Sequence, residues 1–191
     1  MKPVDAKNES LRPVKVDFEA LETAFEDVGL DHGHFLDLET GEVIMVTDET
    51  KDMLEEICDE ALQDDSDSMA ILDAIEASEL HEWQKEALRE ADSVEQGLGV
   101  RYIPVPGGDS DEGFRDMEAF ADTVSSQQFA DLLRNALEGS GPFRRFKDTL
   151  QVDEKERRRW FEFKQQRLRE RITDWLETEG YLALPLSENL P

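Results

Sequence analysis

Residues 34–46 read HFLDLETGEVIMV, and this stretch decides the class of fold. Two apolar-rich runs, 34–38 and 42–46, flank Glu39-Thr40-Gly41, where Gly41 can supply the positive φ of a bulged turn. The stretch therefore predicts a β-hairpin. Residues 101–106 read RYIPVP, an extended segment whose prolines favour a sheet edge. We expect the hairpin at about 34–46 and a strand at about 101–105 to form a small three-stranded antiparallel sheet.

Helical periodicity dominates the rest of the chain. Capping residues such as Asp17, Asp109 and Asp153 precede apolar runs with helical spacing. We expect an α+β fold in which about seven helices cover the sheet and the C-terminal half is all helical. Residues 15–180 are predicted to form a single α+β domain, with a flexible lead-in over 1–14 and a C-terminal tail over 181–191.

The chain is strongly acidic, with 47 Asp/Glu against 21 Lys/Arg and a net charge of −26. Such a surface stays soluble at high ionic strength, which favours a salt-rich cytoplasm, although an ordinary acidic bacterial protein is an alternative. Cys58 is the single cysteine, so no disulfide framework is expected. No apolar run is long enough to cross a bilayer, and the N-terminal residues do not resemble a signal peptide. We therefore expect a cytoplasmic protein that does not contact membranes.

The region from residue 142 to residue 171 departs from this acidity. It contains eleven Lys/Arg and six Asp/Glu, a local charge of +5. On the long helix that Asp153 caps, Arg157, Lys164 and Arg171 recur every seven residues, which places them along one edge. Phe161, Leu168, Ile172 and Trp175 fall within one arc and are predicted to face the core. The predicted partner-binding set consists of cations and one aromatic residue: Arg144, Arg145, Arg157, Trp160, Lys164, Arg167 and Arg171.

Three interpretations of this basic and aromatic region are open. The first is a small cytoplasmic interaction or regulatory module that binds an acidic protein surface without a cofactor. The second is binding of RNA or single-stranded DNA, with arginines contacting phosphates and with Trp160 and Phe163 stacking on bases. In the third, the arginines pair with the chain's own carboxylates and the aromatic rings belong to the core. The burial of Trp160 and the pairing of the arginines distinguish these interpretations.

Two further segments contain residue types that occur in enzyme pockets or in metal sites. Arg101 and Arg115 flank the 107–112 loop, where a possible pocket would suit an enzyme, but no nucleotide-binding motif is present and no catalytic residue is assigned. Asp31-His32-Gly33-His34 offers ligand types that suit zinc or nickel. No third ligand at motif spacing is evident, so we expect a solvent-facing loop, no metal and no cofactor.

Four blocks of the sequence carry a resemblance to a known family. They lie at 35–43 (FLDLETGEV), 82–84 (EWQ), 101–120, and 136–148 with the aromatic residues that follow it up to 176. In this order and spacing they resemble one bacterial family known only as an uncharacterised protein family. The resemblance spans residues 17–180 and implies a compact bacterial domain of unassigned activity. It transfers no catalytic residues, and His81 stands where such proteins often have proline.

Overall fold

The computed structural model describes residues 11–62 and 68–186 of the chain. These ranges contain eight helices and five strands. In chain order they are β1 (Arg12–Val16), α1 (Phe18–Glu26), β2 (His32–Asp37), β3 (Val43–Thr47), α2 (Asp48–Leu62), α3 (Ser68–Ala77), α4 (Glu82–Gly97), β4 (Tyr102–Val105), α5 (Ser110–Thr123), α6 (Gln127–Leu137), α7 (Pro142–Leu150), α8 (Glu154–Thr178) and β5 (Tyr181–Pro185).

The elements form two compact units. The sheet unit consists of the described residues up to Gly107 together with those from Gly180 onward, and the helical unit is Gly108–Glu179. The predicted α+β class is confirmed, as is a C-terminal region made largely of helices. The single domain predicted over residues 15–180 stays a prediction. None of the described helices combines the length and apolar character needed to cross a membrane.

The sheet unit contains the predicted three-stranded sheet. Its strand order is β3-β2-β4, and both pairings are antiparallel. Gly41 has a φ of 79°, which confirms the positive φ predicted for the hairpin turn. A Cβ at this position would also collide with the carbonyl oxygen of Lys15. The turn therefore requires glycine both for its backbone angle and for the close approach of β1.

Helices α2, α3 and α4 contribute with the sheet to one apolar core. Its buried members include Val46 from β3, Leu54 from α2, Ile75 from α3, Leu88 from α4 and Tyr102 from β4. Helix α1 contacts β3 and β4. Its N-cap is Asp17, as predicted, because the Asp17 carboxylate accepts hydrogen bonds from two backbone N–H groups of the first turn.

A second sheet pairs the two ends of the described chain. Strands β1 and β5 are parallel, with Arg12 opposite Tyr181 and Val16 opposite Pro185. The Arg12 guanidinium donates a hydrogen bond of 2.7 Å to the Tyr181 hydroxyl and lies over its ring. The predicted lead-in and tail thus contain strands at 12–14 and 181–185. Local patterns could not indicate them, because the pairing joins residues 169 positions apart.

The helical unit is built from α5, α6, α7 and α8 around an aromatic cluster. Phe120, Phe146, Trp160 and Phe163 pack together, and the Phe146 and Trp160 ring centroids are 5.0 Å apart in an edge-to-face arrangement. Asp153 caps α8 as predicted, because its carboxylate accepts hydrogen bonds from the N–H groups of Lys155 and Glu156. Helices α5, α6 and α7 contribute several buried apolar residues to the surrounding core and α8 contributes Trp160, so the unit has a core of its own.

Candidate interaction surface

Exposed cations occupy α7 and the first turns of α8. Arg144, Arg145 and Lys147 are exposed on α7, and Arg157 and Arg158 are exposed on α8. We refer to these five side chains as the basic surface. The two helices contact each other and are joined by residues 151–153 alone. The basic surface therefore lies on two adjoining helices of one compact unit.

The chain's own carboxylates leave most of the basic surface unpaired. Within residues 11–62 and 68–186, Arg145, Lys147, Arg157 and Arg158 form no salt bridge. Arg144 has a single pairing, in which its Nε lies 3.8 Å from the carboxylate of Asp148. An exposed pair at that separation contributes little to stability, because water screens it.

Nearby carboxylates are engaged in the fold instead. Asp153 accepts hydrogen bonds of 2.9 and 3.1 Å from the N–H groups of Lys155 and Glu156 and so caps α8. Glu156 is buried and accepts a hydrogen bond from Arg159. Two of the acidic residues near Arg157 and Arg158 therefore stabilise the helix terminus and one buried ion pair, while Glu154 and Glu162 are exposed.

Two arginines of the predicted binding set lie in an internal network. Asp116 on α5 is buried, and its carboxylate lies 3.2 Å from Nε of Arg167 and 2.7 Å from Nη1 of Arg171. Arg171 also lies 3.3 Å from the carboxylate of Glu112. Arg167 and Arg171 therefore join α8 to α5, and Lys164 is half-buried. Of the predicted cations, Arg144, Arg145 and Arg157 belong to the basic surface.

Trp160 is part of the core and does not face solvent. It is 6% exposed within the aromatic cluster, and Phe163 is partly buried against the same cluster. Phe161 is 61% exposed, so the prediction that Phe161 faces the core is wrong. Leu168 and Ile172, predicted to face the core with it, are buried.

A change of buried face along α8 explains this difference. At about 100° per residue, Leu168 lies about 80° round the helix from Trp160, so the first and second halves bury different sides. Phe161 points in nearly the direction of Leu168 but sits in the first half of the helix. A single arc drawn over the whole helix therefore assigns Phe161 to the wrong side.

Arg158 and Lys147 are members of the basic surface that the heptad spacing did not select. Arg158 lies about 160° round the helix from Trp160, on the side opposite the buried ring. Lys147 follows the buried Phe146 directly on α7. A helical projection centred on Trp160 for α8, and another centred on Phe146 for α7, would have indicated that Arg158 and Lys147 are exposed. Phe143, Val152 and Phe161 add exposed apolar side chains to the same two helices and their connection.

Arg101, one of the two predicted pocket residues, is engaged with a buried carboxylate. Its Nη2 lies 2.7 Å from Oδ2 of Asp37, whose side chain is 3% exposed. Burial raises the pKa of Asp37, but the hydrogen bonds from Arg101 and from the N–H groups of Glu39 and Thr40 outweigh it and hold that pKa below its usual value. Arg115 is exposed on α5, in the other unit. A pocket near the 107–112 loop stays a prediction.

The His-Gly-His segment is a strand rather than the expected loop. His32 and His34 begin β2, and Asp27, at the C-terminus of α1, is the third group that the sequence did not indicate. One ligand atom from each of these three side chains lies within 4.8 Å of the other two. Hydrogen bonds that the His32 ring donates to the carboxylates of Asp27 and Asp31 raise the pKa of His32, whereas burial lowers that of His34. These three side chains could hold a metal ion.

Comparisons with known proteins agree with the resemblance seen in the sequence. A family model described as "Uncharacterised protein family (UPF0158)" matches residues 90–190. The chain is also similar to the UPF0158 protein PA5073 of Pseudomonas aeruginosa, with 26% identity over 167 residues that cover 87% of this chain and 84% of the relative. No solved structure matches the chain significantly.

Proposed function

The chain belongs to the uncharacterised protein family UPF0158, a family of unknown function, and we propose that this member is an interaction module that binds an acidic protein partner. Binding would occur through the basic surface. The observation that carries the proposal is that Arg145, Arg157 and Arg158 are exposed and form no salt bridge in the described part of the chain. They remain unpaired although Asp/Glu outnumber Lys/Arg by 47 to 21.

An acidic segment of a protein suits this surface for electrostatic and apolar reasons. Unpaired guanidinium groups bind carboxylates through charge-assisted hydrogen bonds. Phe161 and Val152 are 61% and 80% exposed, so a partner could bury apolar side chains between the cations. Interfaces commonly combine arginine with aromatic side chains in this way.

Nucleic acid is the second candidate, and two observations argue against it. Trp160 is buried and Phe163 is partly buried, which removes both rings that would stack on bases. A net charge of −26 also repels a long polyanion over the distances at which electrostatic steering acts. A short acidic peptide segment meets less of this repulsion, because it can contact the basic surface alone.

We also propose a cytoplasmic location, which suits a chain whose one cysteine is a free thiol.

A binding experiment with two probes tests the proposal. A fluorescent glutamate-rich peptide with interspersed leucines, and a single-stranded oligonucleotide of equal charge, are titrated with the full chain at physiological salt. The test variant combines Arg145→Glu with Arg157→Glu. The control combines Lys15→Glu with Lys51→Glu, two exposed lysines of the sheet unit, so that the net charge changes equally.

We expect the peptide to bind the unaltered chain and the test variant to bind it at least tenfold more weakly, a change of about 1.4 kcal/mol. The control variant should lose much less, because its charges lie outside the basic surface. Equal losses in the two variants would show a general charge effect and contradict the proposal. Preferential binding of the oligonucleotide would also contradict it and would favour the nucleic-acid function.

A further inference from the structure

The geometry points to a divalent metal site of the zinc class formed by Asp27, His32 and His34. Alternation along β2 places His32 and His34 on the same side of the strand, because side chains two residues apart share a face. Asp27 follows the last residue of α1 and lies against both rings. Its Oδ2 is 2.6 Å from Nε2 of His32 and 3.7 Å from Nε2 of His34.

Hydrogen bonds outside the cluster already orient two of the three ligands. Oδ1 of Asp27 accepts a hydrogen bond of 2.8 Å from the Gly29 N–H, which leaves Oδ2 directed at the histidines. Nδ1 of His32 lies 2.9 Å from Oδ1 of Asp31, which leaves Nε2 of that ring as the coordinating atom. A carboxylate behind a ligating histidine is the usual arrangement in zinc sites, because it fixes the ring and raises its basicity.

The backbone of Gly29 makes room for the His32 ring. A Cβ at residue 29 would overlap the imidazole. The turn between α1 and β2 thus holds the ring close against the main chain. It also brings residues 27 and 32 together.

The two separations from Asp27 approach those of a tetrahedral zinc ion after small adjustments. Zinc–nitrogen and zinc–oxygen bonds of about 2.0–2.2 Å place tetrahedral ligand atoms about 3.3–3.5 Å apart. The Asp27–His34 separation of 3.7 Å is close to this value, and the Asp27–His32 separation of 2.6 Å must open by less than about 1 Å. Three protein ligands leave a fourth position, and the Asp27 side chain is 31% exposed, so water can reach it.

Hydrogen bonding alone does not explain the position of His34. Its Nε2 is 3.7 Å from the Asp27 carboxylate, beyond hydrogen-bond distance, and within the described ranges its ring forms no hydrogen bond. The side chain is only 14% exposed. The ring packs edge-to-face against His32, with the centroids 5.2 Å apart, and a cation would join both rings to Asp27. Imidazole ligands favour zinc and its transition-metal neighbours over Mg²⁺ and Ca²⁺.

Competition with a fluorescent zinc chelator tests the site in the full chain. Excess Mg²⁺ in the buffer occupies the many surface carboxylates, which prefer hard cations. We expect one Zn²⁺ per chain, lost in His32→Ala and in His34→Ala and retained in His81→Ala. His81 is the matched control, because it is the remaining histidine and is exposed at the start of α4. Co²⁺ should give the visible absorption of a tetrahedral site in the unaltered chain.

A second variant keeps the test decisive if a histidine substitution disturbs folding. Asp31 is 90% exposed, so Asp31→Asn should leave the fold intact while removing the carboxylate behind His32. It should weaken zinc binding by about 10–100-fold. Three results would overturn the site: no zinc bound by the unaltered chain, equal binding by the doubly substituted His32→Ala/His34→Ala chain, or equal affinity in Asp31→Asn.

Discussion

The two compact units use their positive charges differently. The sheet unit has eight Lys/Arg against thirty Asp/Glu, whereas the helical unit has thirteen against seventeen. Arg89 and Arg101 in the sheet unit each contact two carboxylates. In the described part of the helical unit, Arg157 and Arg158 contact none, although acidic residues outnumber basic ones there too. Pairing therefore follows local placement and not the overall balance of charge.

A second contrast lies inside the helical unit. Arg167 and Arg171 converge on the buried carboxylate of Asp116, while Arg157 and Arg158, about two and a half to four turns earlier on the same helix, face solvent. The Asp116 side chain on α5 contacts the second half of α8 through these two arginines. The same residue type thus stabilises the fold in one half of a helix and is available to a partner in the other.

The largest effect on the free energy of unfolding is expected from truncating Trp160. This substitution tests whether the helices that display the basic surface pack around a core of the helical unit. Trp160→Ala should lower the free energy of unfolding by about 3–5 kcal/mol, because it leaves a cavity in the aromatic cluster. The matched variant Phe161→Ala should change it by less than about 0.5 kcal/mol, since that ring is exposed. Urea unfolding followed by circular dichroism measures both. Equal losses would mean that the assignment of faces on α8 is incorrect.

An intermediate effect on the free energy of unfolding is expected at Asp37, which pairs with Arg101 in the sheet unit. Asp37→Asn should lower the free energy of unfolding by about 2 kcal/mol, because the buried carboxylate that pairs with the Arg101 guanidinium is replaced by a neutral amide. Asp52→Asn, at an exposed position on α2, is the control and should change it by less than about 0.5 kcal/mol. Chemical denaturation of the two variants gives the comparison.

The same pair should make stability depend on pH in a defined direction. The pKa of Asp37 is lower in the folded chain, so its ionised form stabilises the fold above the unfolded pKa of about 3.9. This contribution is lost as the pH falls below that value and through the folded pKa. The unaltered chain should therefore lose stability more steeply between pH values of about 5 and 2 than Asp37→Asn does. Parallel pH profiles would contradict the assigned role of Asp37.

The smallest effects on the free energy of unfolding are expected from replacing single arginines, and they should differ between arginines that form ion pairs and arginines that do not. Arg171→Ala should lower the free energy of unfolding by about 1–2 kcal/mol, because it removes a partner of the buried Asp116 carboxylate. Arg157→Ala should change it by less than about 0.5 kcal/mol. Thermal unfolding of both variants at several salt concentrations checks the difference. A substantial loss in Arg157→Ala would show that this residue has a structural role and would weaken the proposed interaction surface.

Much of the fold could be predicted because its signals are local. The 34–46 hairpin, the strand near 102 and the caps at Asp17 and Asp153 each depend on a few neighbouring residues. The candidate interaction surface could be predicted in part. A local excess of Lys/Arg identified Arg144, Arg145 and Arg157, but exposure depends on what packs over each side chain, and so Phe161 was assigned to the wrong environment and that of Trp160 was left open.

The histidine cluster shows the same limit. The residue types of His32 and His34 suggested metal ligands, but Asp27 belongs to a different element and its position depends on how the chain turns between α1 and β2. Only the fold shows that three ligand atoms converge. Ligand spacing in sequence is informative when the ligands share one element or one short loop, and less so when a turn of variable geometry lies between them.

The sequence by itself determined the class of fold, the family and the asymmetry of charge, because propensities, turn residues and composition act over a few positions. Tertiary structure alone decided that β1 pairs with β5, which face of α8 is buried in each half, and which arginines meet a carboxylate. The physical reason is the same in each case. These outcomes depend on contacts between residues far apart in the chain, and no local pattern encodes which distant surface a side chain will meet.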